Sequence, residues 1–171
     1  METWDAIRAR RNIRNFSTTP ISDADLHRIL EAGRRAPSAR NTQPWDFVLV
    51  RDSDRLVELA EVWRGAGHIA GSAATIAIVA PTPTDNRQAG LIQFDLGQAC
   101  MVMAVVAADL GIGSGHAAVA DQQAARALLG FPETHVLAYL LALGYPADRP
   151  LAPLTRMDRR PYEDVVHDER W

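Results

Sequence analysis

The chain has 171 residues, 47% of them hydrophobic and 23% charged, with a formal net charge of −3. That describes one globular domain with enough apolar side chains for a real core, and the acidic balance argues against a broad nucleic-acid-binding surface. All 18 basic residues are arginine, so every cationic position offers a planar fork of donors.

Residues 3–10 are expected to be helical, with Trp4 and Ile7 on one side and Arg8, Arg10 and Arg11 following. Asn12-Ile13-Arg14-Asn15-Phe16 then alternates polar and apolar residues as an extended segment does. Taken alone, the arginine cluster reads as a solvated helix end; its functional reading is an anion site. A second helix is announced by Ser22 as N-cap, with Leu26, Ile29, Leu30 and Gly33 as its stripe, and Pro37 ends it. Residues 36–45 form a polar loop, longer than a simple link requires, whose amides could read the edge of a heterocycle. Phe47 to Val50 is a short strand. Ser53 and Asp54 open a helix closed by Gly65 and Gly67, and Thr75 to Ala80 is a buried strand. Pro81 to Gly90 is a turn-rich connection.

From Gln93 to Leu110 almost no polar face remains, so this helix must be buried all round. It carries Gln93, Asp95, Gln98 and Asp109 and has no companion, so a membrane span is not expected. One domain rarely surrounds such a helix, and a homodimer covering part of it is the expectation. Cys100 lies within it and reads as a small core residue. After a glycine loop at 111–115, Asp121 caps a helix running to Leu129, with Gly130 at its end. Val136 to Leu143 is a third strong strand, and a strand-like segment is expected around Val165-Val166. Helices and strands mix without regular alternation, which makes the class α+β. No positively charged start precedes an apolar run, so no secretory signal is expected and the cytoplasm is the expected location.

Gly111-Ile112-Gly113-Ser114-Gly115-His116 fails as a dinucleotide fingerprint, because it follows a helix and has His116 where the third glycine belongs. The five histidines lack metal-ligand spacing, so no metal site is expected; His116 alone stands out, for its place beside the glycines. There is no P-loop, no G-x-S-x-G and no plausible triad. Enzymatic chemistry would have to come from a cofactor.

Across nearly its whole length the sequence resembles the FMN-dependent nitroreductase family. The resemblance is carried by Arg10-Arg11-Asn12-Ile13-Arg14-Asn15-Phe16, by Ala36-Pro37-Ser38-Ala39-Arg40-Asn41-Thr42-Gln43-Pro44-Trp45, and by Asp109-Leu110-Gly111-Ile112-Gly113-Ser114. Leu143-Gly144-Tyr145-Pro146 and Arg159-Arg160-Pro161-Tyr162-Glu163-Asp164-Val165-Val166 complete it. It implies a single domain over 1–171 with a three-layer α-β-α fold, a mainly antiparallel sheet and a long buried central helix. It also implies a homodimer with two FMN molecules at its interface, and a tail from about 147 to 171 that embraces the partner subunit.

On that resemblance Arg10, Asn12 and Arg159 hold the FMN phosphate, Arg11 lies along the ribityl chain or ring edge, and Arg14 sits beside N1 and O2. Pro37, Ser38 and Asn41 come from the partner or flank the ring, and backbone N–H groups of His116, Ala117 and Ala118 face N5. NAD(P)H would be the reductant and a nitroaromatic, quinone or similar small molecule the acceptor, in a ping-pong scheme that needs no nucleophilic side chain. A flavin-sequestering protein of the same fold, or a specialised flavin or deazaflavin reductase, is the alternative. Asn12 replaces the family's serine or threonine, and Met157 stands where some relatives have lysine, so that Arg156 or Arg160 would substitute. The small residues after His116 and the short connection before the central helix imply a wide substrate cleft.

Overall fold

The computed structural model describes residues 1–155 and 158–171. Its elements in chain order are α1 (Thr3–Ala9), α2 (Asp23–Arg34), β1 (Asp46–Val50), α3 (Ser53–Ala60), β2 (Ala74–Pro81), α4 (Asn86–Asp109), β3 (Gly113–Ala117), α5 (Gln122–Leu129) and β4 (His135–Gly144). The strands form one antiparallel sheet in the order β1-β2-β4-β3.

Period-two alternation in the two central strands divides the core into two layers. Ile76, Ile78 and Ala80 of β2 join Leu141 and Leu143 of β4 on one face, where Leu26 and Ile29 of α2 and Leu96, Ala99 and Met103 of α4 cover them. Ala77 and Val79 join Leu140 and Ala142 on the other, under Leu56 and Leu59 of α3 and Ala125 of α5. The result is the expected α+β class with helices on both faces of a mainly antiparallel sheet. A bulge opposite Ile78 and Val79 leaves Ala138 unpaired and interrupts the alternation just before Tyr139.

Local chemistry sets the helix ends. Side-chain oxygens of Ser22, Asp52, Asp85 and Asp121 accept from the N–H groups of Asp25, Arg55, Gln88 and Ala124, and Gly130 ends α5 at φ 74°.

Four expectations are corrected. The third helix stops at Ala60 and gives way to turns, so Gly65 and Gly67 do not close it. The second half of the 81–90 connection is already helix, because Asp85 caps it. The segment expected as a glycine loop is strand β3 from Gly113 onward. Around Val165-Val166 there is a 3₁₀ turn at Tyr162–Asp164 and no strand.

α4 has the length and hydropathy of a bilayer span, yet Leu96, Ala99, Met103 and Ala107 are fully buried against the sheet and α2. Its burial is not all round. Leu91, Phe94 and Met101 are 46%, 69% and 42% exposed, and the exposed face runs along Gly90, Phe94, Gly97 and Met101 at spacings of four, three and four.

Candidate functional site

The site begins with three glycines that let the N-terminal segment lie directly on the sheet edge. A Cβ on Gly113 would stand 2.7 Å from Ile13 Cγ1, on Gly115 2.3 Å from the Ile13 carbonyl oxygen, and on Gly144 2.7 Å from the Phe16 ring. Without side chains at these points residues 12–16 run extended beside β3 and the end of β4. The N–H of Ile13 donates to the Ser114 carbonyl at 2.9 Å, that of Ser17 to Tyr145 at 2.8 Å, and that of Ala147 to Asn15 at 3.1 Å.

This docking opens a cleft of about 320 Å³. Arg10 and Asn12 line one side, Gln93, Gly97, Cys100, Met101 and Ala104 of α4 another, and Ser114, His116, Tyr139 and Leu141 the sheet. Arg10 Nη1 donates to Asn12 Oδ1 at 3.4 Å, and Tyr139 Oη donates to Gln93 Oε1. Gly97 leaves open space where a Cβ would stand, so the helix wall has room for a flat ligand. Burial pushes the Cys100 thiol up, against a smaller opposing pull from Arg10, so it stays a neutral thiol and a poor nucleophile.

Asn12 also lines an adjoining groove of about 400 Å³ with Arg11, Arg14, Asn15, Pro146, Asp148 and Arg149. Asp148 accepts from Asn15 Nδ2 at 2.9 Å and is one carboxylate among three arginines lining this space. Partial burial and the neighbouring Arg149 lower the pKa of Arg11, whose guanidinium donates to the carbonyls of Ala9 and Pro150.

Alternation along β3 sends His116 to the cleft while Ala117 is buried in the opposite layer, and Ala118 is exposed one residue past the strand. Behind β3 stands His68, whose Nε2 lies 3.3 Å from the Gly115 carbonyl oxygen. Burial lowers its pKa, with Arg14 and His116 adding to the effect and the Gly115 and Gly65 carbonyls opposing it. His68, Gly97 and Tyr139 are site residues that sequence reasoning missed. The available signal for His68 was a histidine between small residues just before a buried strand.

The 36–45 loop lies elsewhere. The N–H of Ala39 donates to both carboxylate oxygens of Asp95, Ser38 Oγ accepts from the N–H of Gln43 at 2.9 Å, and a 3₁₀ turn spans Ala39–Asn41. Arg40, Thr42, Gln43 and Trp45 face Arg87, Gln88 and Leu91 of α4 across a third cleft, of about 600 Å³. Within one chain Pro37, Ser38 and Asn41 therefore do not join the Arg10–Asn12–His116 cleft.

Arg159 is exposed, with Nη1 donating to its neighbour's carbonyl at Asp158, and Arg160 donates to Asp164. Neither lines the cleft with Arg10. Arg156 and Met157 lie outside the described residues. Earlier in the tail, the N–H of Leu154 donates to the Arg8 carbonyl and the Leu154 carbonyl accepts from Arg8 Nε and Nη2, while the Pro150 carbonyl accepts from Arg11.

Residues 7–67 match the profile of the Nitroreductase family. A protein of Archaeoglobus fulgidus, provisionally named an NADH dehydrogenase/NAD(P)H nitroreductase, is 34% identical over 99% of each chain. An NADPH-flavin oxidoreductase of Vibrio harveyi is 26% identical over 99% of this chain and 74% of its own. Among solved structures, an FMN-dependent nitroreductase from Clostridium difficile superposes with a TM-score of 0.83 at 21% identity, covering 97% of this chain and 98% of that one. The NADPH:FMN oxidoreductase of Vibrio harveyi in complex with NAD⁺ also gives 0.83, at 24% identity, covering 97% and 76%. The full-length identity to the archaeal relative and the shared fold carry one conclusion: the chain belongs to the nitroreductase family.

Proposed function

We propose that the protein is an FMN-dependent oxidoreductase that takes hydride from NAD(P)H and passes it to a nitroaromatic, quinone or similar acceptor. The observation that carries this reading is the Arg10–Asn12–His116 cleft, flat-walled at Gly97 and cationic at one end. FMN has the matching shape: a planar ring system with a dianionic phosphate. When bound, FMN supplies a two-electron carrier whose N5 accepts and donates hydride.

The chain's own residues do the rest. Arg10 and Asn12 hold the phosphate, joined by Arg159 from the tail. Arg11 lies along the ribityl side and Arg14 at the N1/O2 edge, where a fixed cation stabilises the negative charge of the reduced ring. Backbone N–H groups of the His116–Ala118 segment serve the N5 region. The wide opening accounts for a loosely specified acceptor.

The site is completed by a second copy. The exposed face of α4, with Gly90, Phe94, Gly97 and Met101 at heptad-like spacing, is a seam that a second α4 would cover. A two-fold axis crossing α4 near Gly97 sets the N-terminal half of one helix against the C-terminal half of the other. The 36–45 loop, held beside that N-terminal half by Asp95, then meets the partner's flavin cleft, and Pro37, Ser38 and Asn41 flank the ring from across the interface. The exposed tail, with Tyr162, Val165, Val166 and Trp171 open to solvent, wraps the partner.

The test is the visible spectrum of dialysed protein before and after anaerobic NADH and NADPH. A retained flavin spectrum that bleaches with either nucleotide is expected. Arg10→Ala should weaken flavin retention by about 1.5–3 kcal/mol, the worth of a hydrogen bond to a charged group. Protein that cannot take up FMN refutes the reading.

A further inference from the structure

Three of the four residues from Arg40 to Gln43 adopt left-handed backbone conformations: Arg40 at φ 53°, Asn41 at 57° and Gln43 at 49°. None is glycine, although glycine adopts these angles without penalty. The conformation is held from outside by the buried Asp95 carboxylate on the N–H of Ala39, and within the loop by Ser38 Oγ on the N–H of Gln43. A loop kept in a costly shape by dedicated partners is built to present its side chains.

Of the three left-handed residues only Arg40 carries a charge. It is exposed, and among the described residues it makes no ion pair or side-chain hydrogen bond. Arg87 lines the same cleft. Three carboxylates line it as well: Asp95 accepts from the N–H of Ala39, Asp85 from that of Gln88, and among the described residues neither they nor Asp46 form an ion pair with Arg40 or Arg87. The cleft adjoins the N-terminal half of α4, the half that the two-fold arrangement sets against the partner's flavin site.

We propose that Arg40 is a specificity-determining residue, reaching from one subunit across the mouth of its partner's site to favour aromatic acceptors that carry an anionic group such as a carboxylate. This rests on the reading of the protein as a dimeric flavin oxidoreductase with the 36–45 loop at the partner's ring. A guanidinium meets a carboxylate through two parallel N–H donors, a contact that a neutral ester of the same ring cannot return.

The experiment measures kcat/KM of the flavin-loaded dimer for 4-nitrobenzoate and for methyl 4-nitrobenzoate, with wild type, Arg40→Ala and Arg40→Lys. In wild type the acid should be preferred to the ester once intrinsic reactivity is referenced to Arg40→Ala. The Ala substitution should lower the acid-to-ester ratio about tenfold, chiefly through KM, as loss of one partly screened charge pair implies. Lysine should restore much of the ratio, and added salt should erode the wild-type preference. An acid-to-ester ratio unchanged by Arg40→Ala overturns the proposal while leaving the oxidoreductase reading intact. A flavin that bleaches with NADH or NADPH while neither compound is reduced would likewise overturn this inference alone, whereas a bound flavin that neither nucleotide bleaches would sink the oxidoreductase reading, and this inference with it.

Discussion

The backbone N–H of Ala39 donates to both carboxylate oxygens of Asp95, at 3.2 and 3.0 Å, and Asp95 is only 2% exposed. Gln98 Nε2 adds a long contact at 3.5 Å, and among the described residues no cation pairs with the carboxylate. A charge so placed is tolerated because the hydrogen bonds it accepts are local and directed. Its work is to hold a distant loop to the central helix.

Asp95→Ala should therefore lower stability by about 1.5–3 kcal/mol, because it strands the Ala39 N–H and removes a charge-assisted bond. Asp95→Asn keeps one acceptor and should lose less. Urea unfolding of the three proteins checks this, and equal midpoints for wild type and Ala would show that the contact carries no weight.

Two glycines should respond in opposite ways to alanine. Gly115→Ala drives a Cβ against the Ile13 carbonyl, a backbone atom that cannot rotate aside, and should destabilise by about 1–3 kcal/mol. Gly97→Ala meets nothing within 4 Å and sits inside α4, so the isolated chain should gain up to about 1 kcal/mol of helix stability. The same methyl group projects toward the cleft and the α4 seam, so flavin affinity and dimer association should fall together. Thermal unfolding beside flavin titration separates the two effects.

His68 supplies a pH dependence with a definite sign. Its burial depresses the imidazole below its ordinary 6.5, so as pH falls the unfolded chain takes up the proton first. The contribution of His68 to stability is full above that ordinary value and is lost as pH falls toward the depressed one. Wild type should thus lose more stability than His68→Gln between about pH 7.5 and 5.5, measured as paired urea curves. Parallel losses would exclude His68 as the source.

The α4 seam gives a prediction about assembly. Phe94 is 69% exposed and Met101 42% in the single chain, so Phe94→Asp removes no intramolecular contact of weight and should leave the fold intact. It should shift sedimentation toward monomer and reduce flavin retention together. A variant that stays dimeric would place the interface elsewhere.

Much of this architecture was legible because it is written in local chemistry. Ser22, Asp121 and Gly130 mark helix ends by satisfying or terminating backbone groups within a few residues of themselves, and the apolar runs of β2 and β4 need no partner to be recognised. What escaped depends on distant neighbours. Gly113-Ser114-Gly115 looks like a loop because glycine is depleted in strands; it is a strand whose glycines accommodate Ile13, a hundred residues earlier. His68 carries no periodic signal, and its meaning lies in the Gly115 carbonyl. Of the motif residues, Arg10, Asn12 and His116 gather in one cleft, while Arg11 and Arg14 line the groove that adjoins it through Asn12. Pro37, Ser38, Asn41 and Arg159 do not join them inside one chain, and no linear reading distinguishes a contact within a subunit from one across a two-fold axis.

The left-handed turn at Arg40, Asn41 and Gln43 also bears on how this protein would respond to laboratory evolution. Glycine at Arg40 or Gln43 would relieve left-handed strain that asparagine at 41 already tolerates, so a library screened for heat resistance should accumulate glycines at those two positions first. A library screened for turnover of its preferred acceptor should discard them. Sequencing both pools would map, position by position, which side chains the loop keeps for its own folding and which it keeps for its substrate.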